Sequence, residues 1–308
     1  MGLKRRISEL VAAKAMLAAT LFSSLLVLVI GVALYLKSRP LLDSKSLGAI
    51  LLGDKWQPSV GLFGLKPFII GTFWVTGLAM VIAVPICILT AIYLAEYASP
   101  RVRAIIKPMI DLLAGVPSVV YGAWALLVVV PFIANAVGPF AQAHWKRIPL
   151  LFTEYSTGFS ILAGGIVLAI MVSPAIISVA EEVLRAVPSD FRDVSYAVGA
   201  TRLETVSRVI VRKALPGLVA SVVLGVSRAL GETMAVLMVV GNVAASPKSV
   251  FDAAYPLPAL IANNYGEMMS IPLYDSALLC SSLVLLIIVL FFNVLAQVAL
   301  AHASGRAA

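Results

Sequence analysis

Arg228 and Glu232 are the residues of this sequence whose types and spacing are best suited to chemistry. They are the only charges in the apolar stretch from Gly217 to Gly241. An arginine near a bilayer centre costs roughly 2.5–3.5 kcal/mol on insertion scales, so its retention there points to a task. A spacing of four predicts both side chains on one helical face. That face is expected to turn inward, toward a pathway or a partner helix. An inward guanidinium is a handle for an anion, because it stays charged and its planar fork meets two oxygens at once. The alternative is a structural ion pair that pins two helices. Thr233 either adds a hydroxyl beside them or packs against backbone.

The elements that position these residues follow from composition. The 308-residue chain is 61% hydrophobic and 12% charged, with mean hydropathy +1.03. Such a balance excludes a soluble domain, and the long unbroken apolar runs exclude a β-barrel. The expectation is an all-α polytopic membrane protein with six transmembrane helices at about 15–36, 68–94, 109–133, 158–180, 217–243 and 275–301. The first run reads as a retained span, being too long for a signal-peptide core and lacking a small-residue cleavage site. Pro85, Pro117, Pro131 and Pro174 mark interruptions of the second, third and fourth spans.

Six spans put both termini on one side. Fourteen of the 23 basic residues fall on that side, in the N-terminal tail, the loop 95–108, the loop 181–216 and the tail at Arg306. Eight fall opposite, so the termini are expected in the cytoplasm. The +8 net charge is thus a topology signal and does not imply nucleic acid. The expected organisation is a tail and first helix (1–36), an outer loop (37–67), a five-helix core (68–301) containing a cytoplasmic loop (181–216), and a tail (302–308). Cys87 and Cys280 read as small core residues. His144 and His302 are isolated, so no metal site is expected. Gly48–Lys55 has Asp54 where a phosphate-binding loop needs lysine, and lies on the outer side, so no ATP site is read there. No strict Gly-x-x-x-Gly pair occurs within a span, which leaves helix packing to other small residues. Asp111 reads as a carboxylate at the start of the third span. Glu96 and Arg101 read as a solvated loop or a partner contact. Trp56 and Trp74 read as interface anchors.

The loop 181–216 is amphipathic and well punctuated. Pro188 and Ser189 start a short helix whose apolar stripe is Phe191, Val194, Ala197 and Val198. Gly199 ends it in a left-handed conformation. Thr201-Arg202-Leu203-Glu204 is a capping box opening a second helix, with Val206, Val209 and Ile210 on its apolar side and Pro216 closing it. Near-balanced charge argues for a protein partner over anionic lipid.

The stretch from Pro188 to Leu218 resembles the EAA loop of ABC-importer permeases. Asp193-Val194-Ser195 stands at E-A-A, Gly199 at the motif glycine, and Val209 and Val211 at its Ile and Leu. Arg212 replaces the expected proline. The stretch Arg228-Ala229-Leu230-Gly231-Glu232-Thr233-Met234-Ala235 is similar to the phosphate-specific permeases. Trp56-x-Pro58, Phe63-Gly64-x-x-Pro67-Phe68-Ile69-x-Gly71-Thr72 and Leu113-Ala114-Gly115-Val116-Pro117-Ser118-Val119-Val120-Tyr121-Gly122 resemble their C-type subunit.

This resemblance implies a type I ABC-importer permease in the bacterial cytoplasmic (inner) membrane. It implies transport of inorganic phosphate, with sulfate or molybdate as the alternative cargo and a phosphate-sensing scaffold as the alternative role. The implied partners are an A-type permease paralogue, two copies of a cytoplasmic ATPase, an external phosphate-binding protein and the lipid bilayer. ATP and Mg would bind the ATPase; the chain itself is not an enzyme and needs no cofactor. Arg228, Glu232 and Thr233 would line the substrate path, with Gly115, Pro117 and Ser118 shaping it. Glu232 would hold Arg228 or accept a proton from hydrogenphosphate. Ser189, Phe191, Asp193, Val194, Ala197, Gly199 and Ala200 would seat in the ATPase, with Pro216 and Gly217 as the hinge to the fifth span.

Overall fold

Apolar runs of 20 residues and more form helices, because a backbone in lipid must satisfy its own hydrogen bonds. The computed structural model describes residues 3–153, 157–267 and 271–305. In chain order these residues form α1 (Leu3–Ser44), α2 (Leu47–Leu52), the hairpin β1 (Trp56–Gln57) and β2 (Leu62–Phe63), α3 (Lys66–Ile92), α4 (Pro100–Ala114), α5 (Ser118–Leu127), α6 (Val129–Phe132) and α7 (Gly138–His144). Then follow α8 (Ile161–Arg185), α9 (Asp190–Ala197), α10 (Arg202–Glu204), α11 (Val211–Leu230), α12 (Met234–Leu237), α13 (Leu257–Asn264) and α14 (Tyr274–Gly305).

Six helical stretches among the described residues are long and apolar enough to cross a membrane: Val11–Ser44, Lys66–Tyr97, Ser118–His144, Ile161–Arg185, Arg202–Leu230 and Tyr274–Val298. The number matches the sequence reading, but two spans are placed differently. The third starts at Ser118 instead of 109, because Ser99 caps and Pro100 opens a separate amphipathic helix, α4, which ends at Gly115. Asp111 is therefore near the end of α4 and accepts a hydrogen bond from Ser178 of α8 (3.1 Å). The fifth span ends at Leu230 instead of 243. Helix α1 continues to Ser44, into the stretch read as outer loop. Helix α14 includes 302–305, and Arg306 lies outside the described residues.

Pro85 and Pro174 sit inside continuous helices, so neither breaks its span. Pro117 does mark a break, at the N-cap of α5.

The centre of the bundle is α3 packed along α8, with α5, α11 and α12 around them. Val75, Ala79, Ala83 and Cys87 of α3 meet Val167, Leu168, Val172 and Ile176 of α8 in the main core. Small residues bring the helices close. Gly217, Ser221, Gly225 and Ala229 repeat every four residues along α11. A Cβ on Gly217 would fall 2.3 Å from Val183, and one on Gly225 2.5 Å from Ile176, both on α8. At the hairpin end Trp56 packs against Phe63, Phe68 and Tyr274, a core position more than an interface anchor. Trp74 is half-buried against the main core.

Candidate functional site

Helix α11 carries Arg228 in its last turn, where the C-terminal end of the helix dipole favours a cation. The helix then stops, with Gly231 as its C-cap. Glu232 lies beyond the end, and its Oε1 accepts from the Ala235 backbone N–H (3.2 Å), capping α12. The break overturns the expectation that Arg228 and Glu232 share a helical face. A spacing of four means adjacency only inside a helix, and this one ends between them. Thr233 Oγ donates to the Gly231 carbonyl (3.2 Å), so its hydroxyl serves the backbone.

Arg228 is exposed on the surface of the chain and has no hydrogen-bonded or ion-paired partner among the described residues. Ala229, Leu230 and Glu232 line a small cleft with Thr72, Thr76 and Leu168, which are inner positions of α3 and α8. The break therefore lies within the thickness of the bundle. Irregular backbone at that depth is stable only when buried in protein or lining water. Gly231 is exposed, and with Thr233 it lines a groove shared with Leu34 of α1, Ile261 of α13 and Leu286 of α14.

After α12 the chain turns through two left-handed residues, Gly241 (φ 92°) and Asn242 (φ 51°). It folds back on the start of α8, whose orphan N–H groups need acceptors. The Val239, Asp252 and Val250 carbonyls accept from Ser160, Ile161 and Leu162 (3.2, 3.0 and 2.8 Å). The segment following Arg228 is thus fixed to the central helix. Gly115 caps α4, and Pro117 and Ser118 open α5; Tyr121 ties the junction by donating to the Leu113 carbonyl (2.8 Å).

At the opposite end, α9 presents the expected apolar stripe. Phe191 is 38% exposed, Val194 66% and Val198 80%, around a groove of about 560 Å³ that also touches Pro188, Asp190 and Val209. Asp193 and Ala197 are exposed as well. Ser189 is the N-cap residue but makes no capping bond. Gly199 is left-handed (φ 84°), which lets Gly199 and Ala200 donate back to the Tyr196 and Ser195 carbonyls (2.9 and 3.2 Å). The capping box at Thr201 and Glu204 is present. Ser195 is buried and bonds Thr205 (2.8 Å), fastening α9 to a π-helical turn over Thr205–Ile210. Pro216 does not end a helix. It sits inside α11, so the loop helix and fifth span are continuous there, and Gly217 is packed against Val183.

Residues 87–307, from the last turns of α3 through α14, match the family described as binding-protein-dependent transport system inner membrane component. The chain belongs to this family. The probable ABC transporter permease protein YqgH of Bacillus subtilis is 40% identical over 242 residues, covering 78% of this chain and 73% of the relative. The phosphate transport system permease protein PstC of Xylella fastidiosa (strain 9a5c) is 36% identical over 255 residues, covering 82% and 78%. An inward-facing structure of the MetNI methionine ABC transporter aligns with TM-score 0.53 at 19% identity, covering 81% of this chain and 99% of that one. That likeness concerns the fold, which is of the type I ABC-importer permease class. The permease is a multi-pass inner-membrane protein, and its family implies an ATPase and a substrate-binding protein as partners.

Sequence reasoning missed the polar contacts around α9 and the ends of α3 and α8. Glu96, read as part of a solvated loop or a partner contact, is paired with Arg192 (2.5 Å) and is only 7% exposed. Glu181 is buried and accepts from Lys107 (2.8 Å), which holds the lysine above its usual range. The partners are 96 and 74 residues apart, and no local pattern connects them.

Proposed function

We propose that this permease is the C-type membrane subunit of an ATP-driven importer of inorganic phosphate, contributing half of the translocation pathway. The observation that carries this reading is Arg228: an unpaired guanidinium, exposed on one side of the chain, beside a helix break within the bundle. The similarity to PstC proteins over most of both chains supports phosphate as the cargo. A free cation at such a site attracts an anion, and a fork of N–H donors suits a tetrahedral oxyanion. Among the described residues no carboxylate is paired to Arg228, so its N–H donors are open to a substrate. Glu232 shapes the path by starting α12.

In this reading the pathway closes around Arg228 only when an A-type paralogue covers the exposed side. Both termini face the cytoplasm, as does the loop 181–216. The groove along α9 seats in one of two ATPase copies, and an external phosphate-binding protein delivers substrate to the hairpin end. Closure of the ATPase pair on ATP moves the loop and the helices continuous with it, and rigid-body motion opens the path outward.

The experiment is labelled-phosphate uptake by the assembled complex in the presence of excess sulfate, molybdate or unlabelled phosphate. Competition by unlabelled phosphate alone is expected. Competition by sulfate or molybdate as strong as by phosphate would assign the permease to those oxyanions instead.

A further inference from the structure

The C-terminal end of α3 is held by arginines from three different elements. It finishes in a π-helical turn, Tyr93–Tyr97, whose last carbonyls lack helical partners. Arg103 of α4 donates to the Leu94 carbonyl through Nε and Nη2 (2.8 and 2.5 Å) and to the Ala95 carbonyl (2.9 Å). Arg202 of α10 donates to the Glu96 carbonyl and lies over the Tyr97 ring, 4.8 Å from its centre. Arg192 of α9 grips the Glu96 carboxylate through Nε and Nη2 (3.2 and 2.5 Å). The same guanidinium donates to the Leu184 and Val187 carbonyls at the end of α8 (3.2 and 2.7 Å).

We propose that Glu96 is a transmission residue: through Arg192 it makes the ends of α3 and α8 move as one body with the coupling helix α9. The apolar packing of α9 is chiefly on the turn Thr205–Ile210, within its own loop. Its Ser195 also bonds within that loop. Arg192 therefore ties α9 to the central helix pair by polar contacts. Exposed ion pairs hold elements weakly. This one differs, because Glu96 is 7% and Arg192 21% exposed and the contact is a two-nitrogen fork. Force applied at α9 thus enters the bundle through α3 and α8 as well as along α11. The inference rests on α9 being the ATPase contact, and adds a second route inward from it.

The test is a short thiol-reactive cross-linker between Glu96→Cys and Arg192→Cys in the assembled transporter, reconstituted in vesicles. The native Cys87 and Cys280 are buried and compete little for the reagent. Uptake and ATP hydrolysis are read together, using whichever oxyanion the wild-type complex transports. The unlinked double variant is expected to hydrolyse ATP while uptake per ATP falls at least tenfold. Linking is expected to restore the ratio, because the covalent tie replaces the ionic one. Loss of uptake on linking would overturn the proposal, since the elements would then need to separate. An unlinked variant with the wild-type ratio would overturn it too. Should the pair fail to assemble, Glu96→Gln, which keeps the shape and weakens the grip, is read for uptake per ATP. A lowered ratio in that variant supports the tie, and the wild-type ratio overturns it. Wild-type uptake in the same vesicles reports separately on the substrate reading, and co-purification of the ATPase with a Val194→Asp variant reports on the docking reading.

Discussion

Arg228 ends a long apolar helix, and among the described residues no carboxylate is paired with it. If its work is to meet an oxyanion with two parallel hydrogen bonds, Arg228→Lys keeps the charge and loses the fork. Uptake by that variant should drop about tenfold, corresponding to one charge-assisted hydrogen bond of roughly 1.5 kcal/mol. Glu232 has a different role. Its carboxylate caps α12, so Glu232→Ala should lower stability by about 1 kcal/mol while Glu232→Gln, which keeps an acceptor, should not. Thermal unfolding of the two variants side by side distinguishes them. Arg228 was legible in the sequence because a lone arginine in an apolar run stands out. Its separation from Glu232 was less so. The sequence does hold the signal, Gly231 between them, but a single glycine in an apolar stretch reads equally as helix packing.

At the level of elements, the loop 181–216 was the most legible part of the chain. Its helix start, apolar stripe, left-handed Gly199 and capping box are local features, and all four are present. Gly199→Asp should therefore strain the turn by about 1–2 kcal/mol and weaken co-purification of the ATPase. Small-residue packing was also written in the chain, as Gly217, Ser221, Gly225 and Ala229 at four-residue spacing, but a search for paired glycines alone passes over it. Gly217→Ala would press a methyl against the stiff Val183 and should cost about 1–3 kcal/mol, read as a lowered unfolding temperature. Helix α4 was hidden for the opposite reason. Its apolar stripe joins the hydrophobic run of the third span, and only the Gly115–Pro117 junction separates them.

For the whole molecule, hydropathy sufficed to count six crossings, since each needs about 20 apolar residues whatever it packs against. The arrangement of those crossings depends on contacts between distant residues, such as Glu96 with Arg192, which no window of sequence contains. The orientation proposed above is directly measurable. A cysteine replacing Ser59 in the hairpin should react with an impermeant maleimide on intact cells, and one replacing Ser207 only after the membrane is opened. The central claim is that the permease is half of a conduit in which Arg228 meets the substrate. Phosphate uptake by a reconstituted Arg228→Ala complex tests it most directly. The expected result is loss of uptake with membrane insertion and ATPase association intact, and uptake at the wild-type rate would contradict the account.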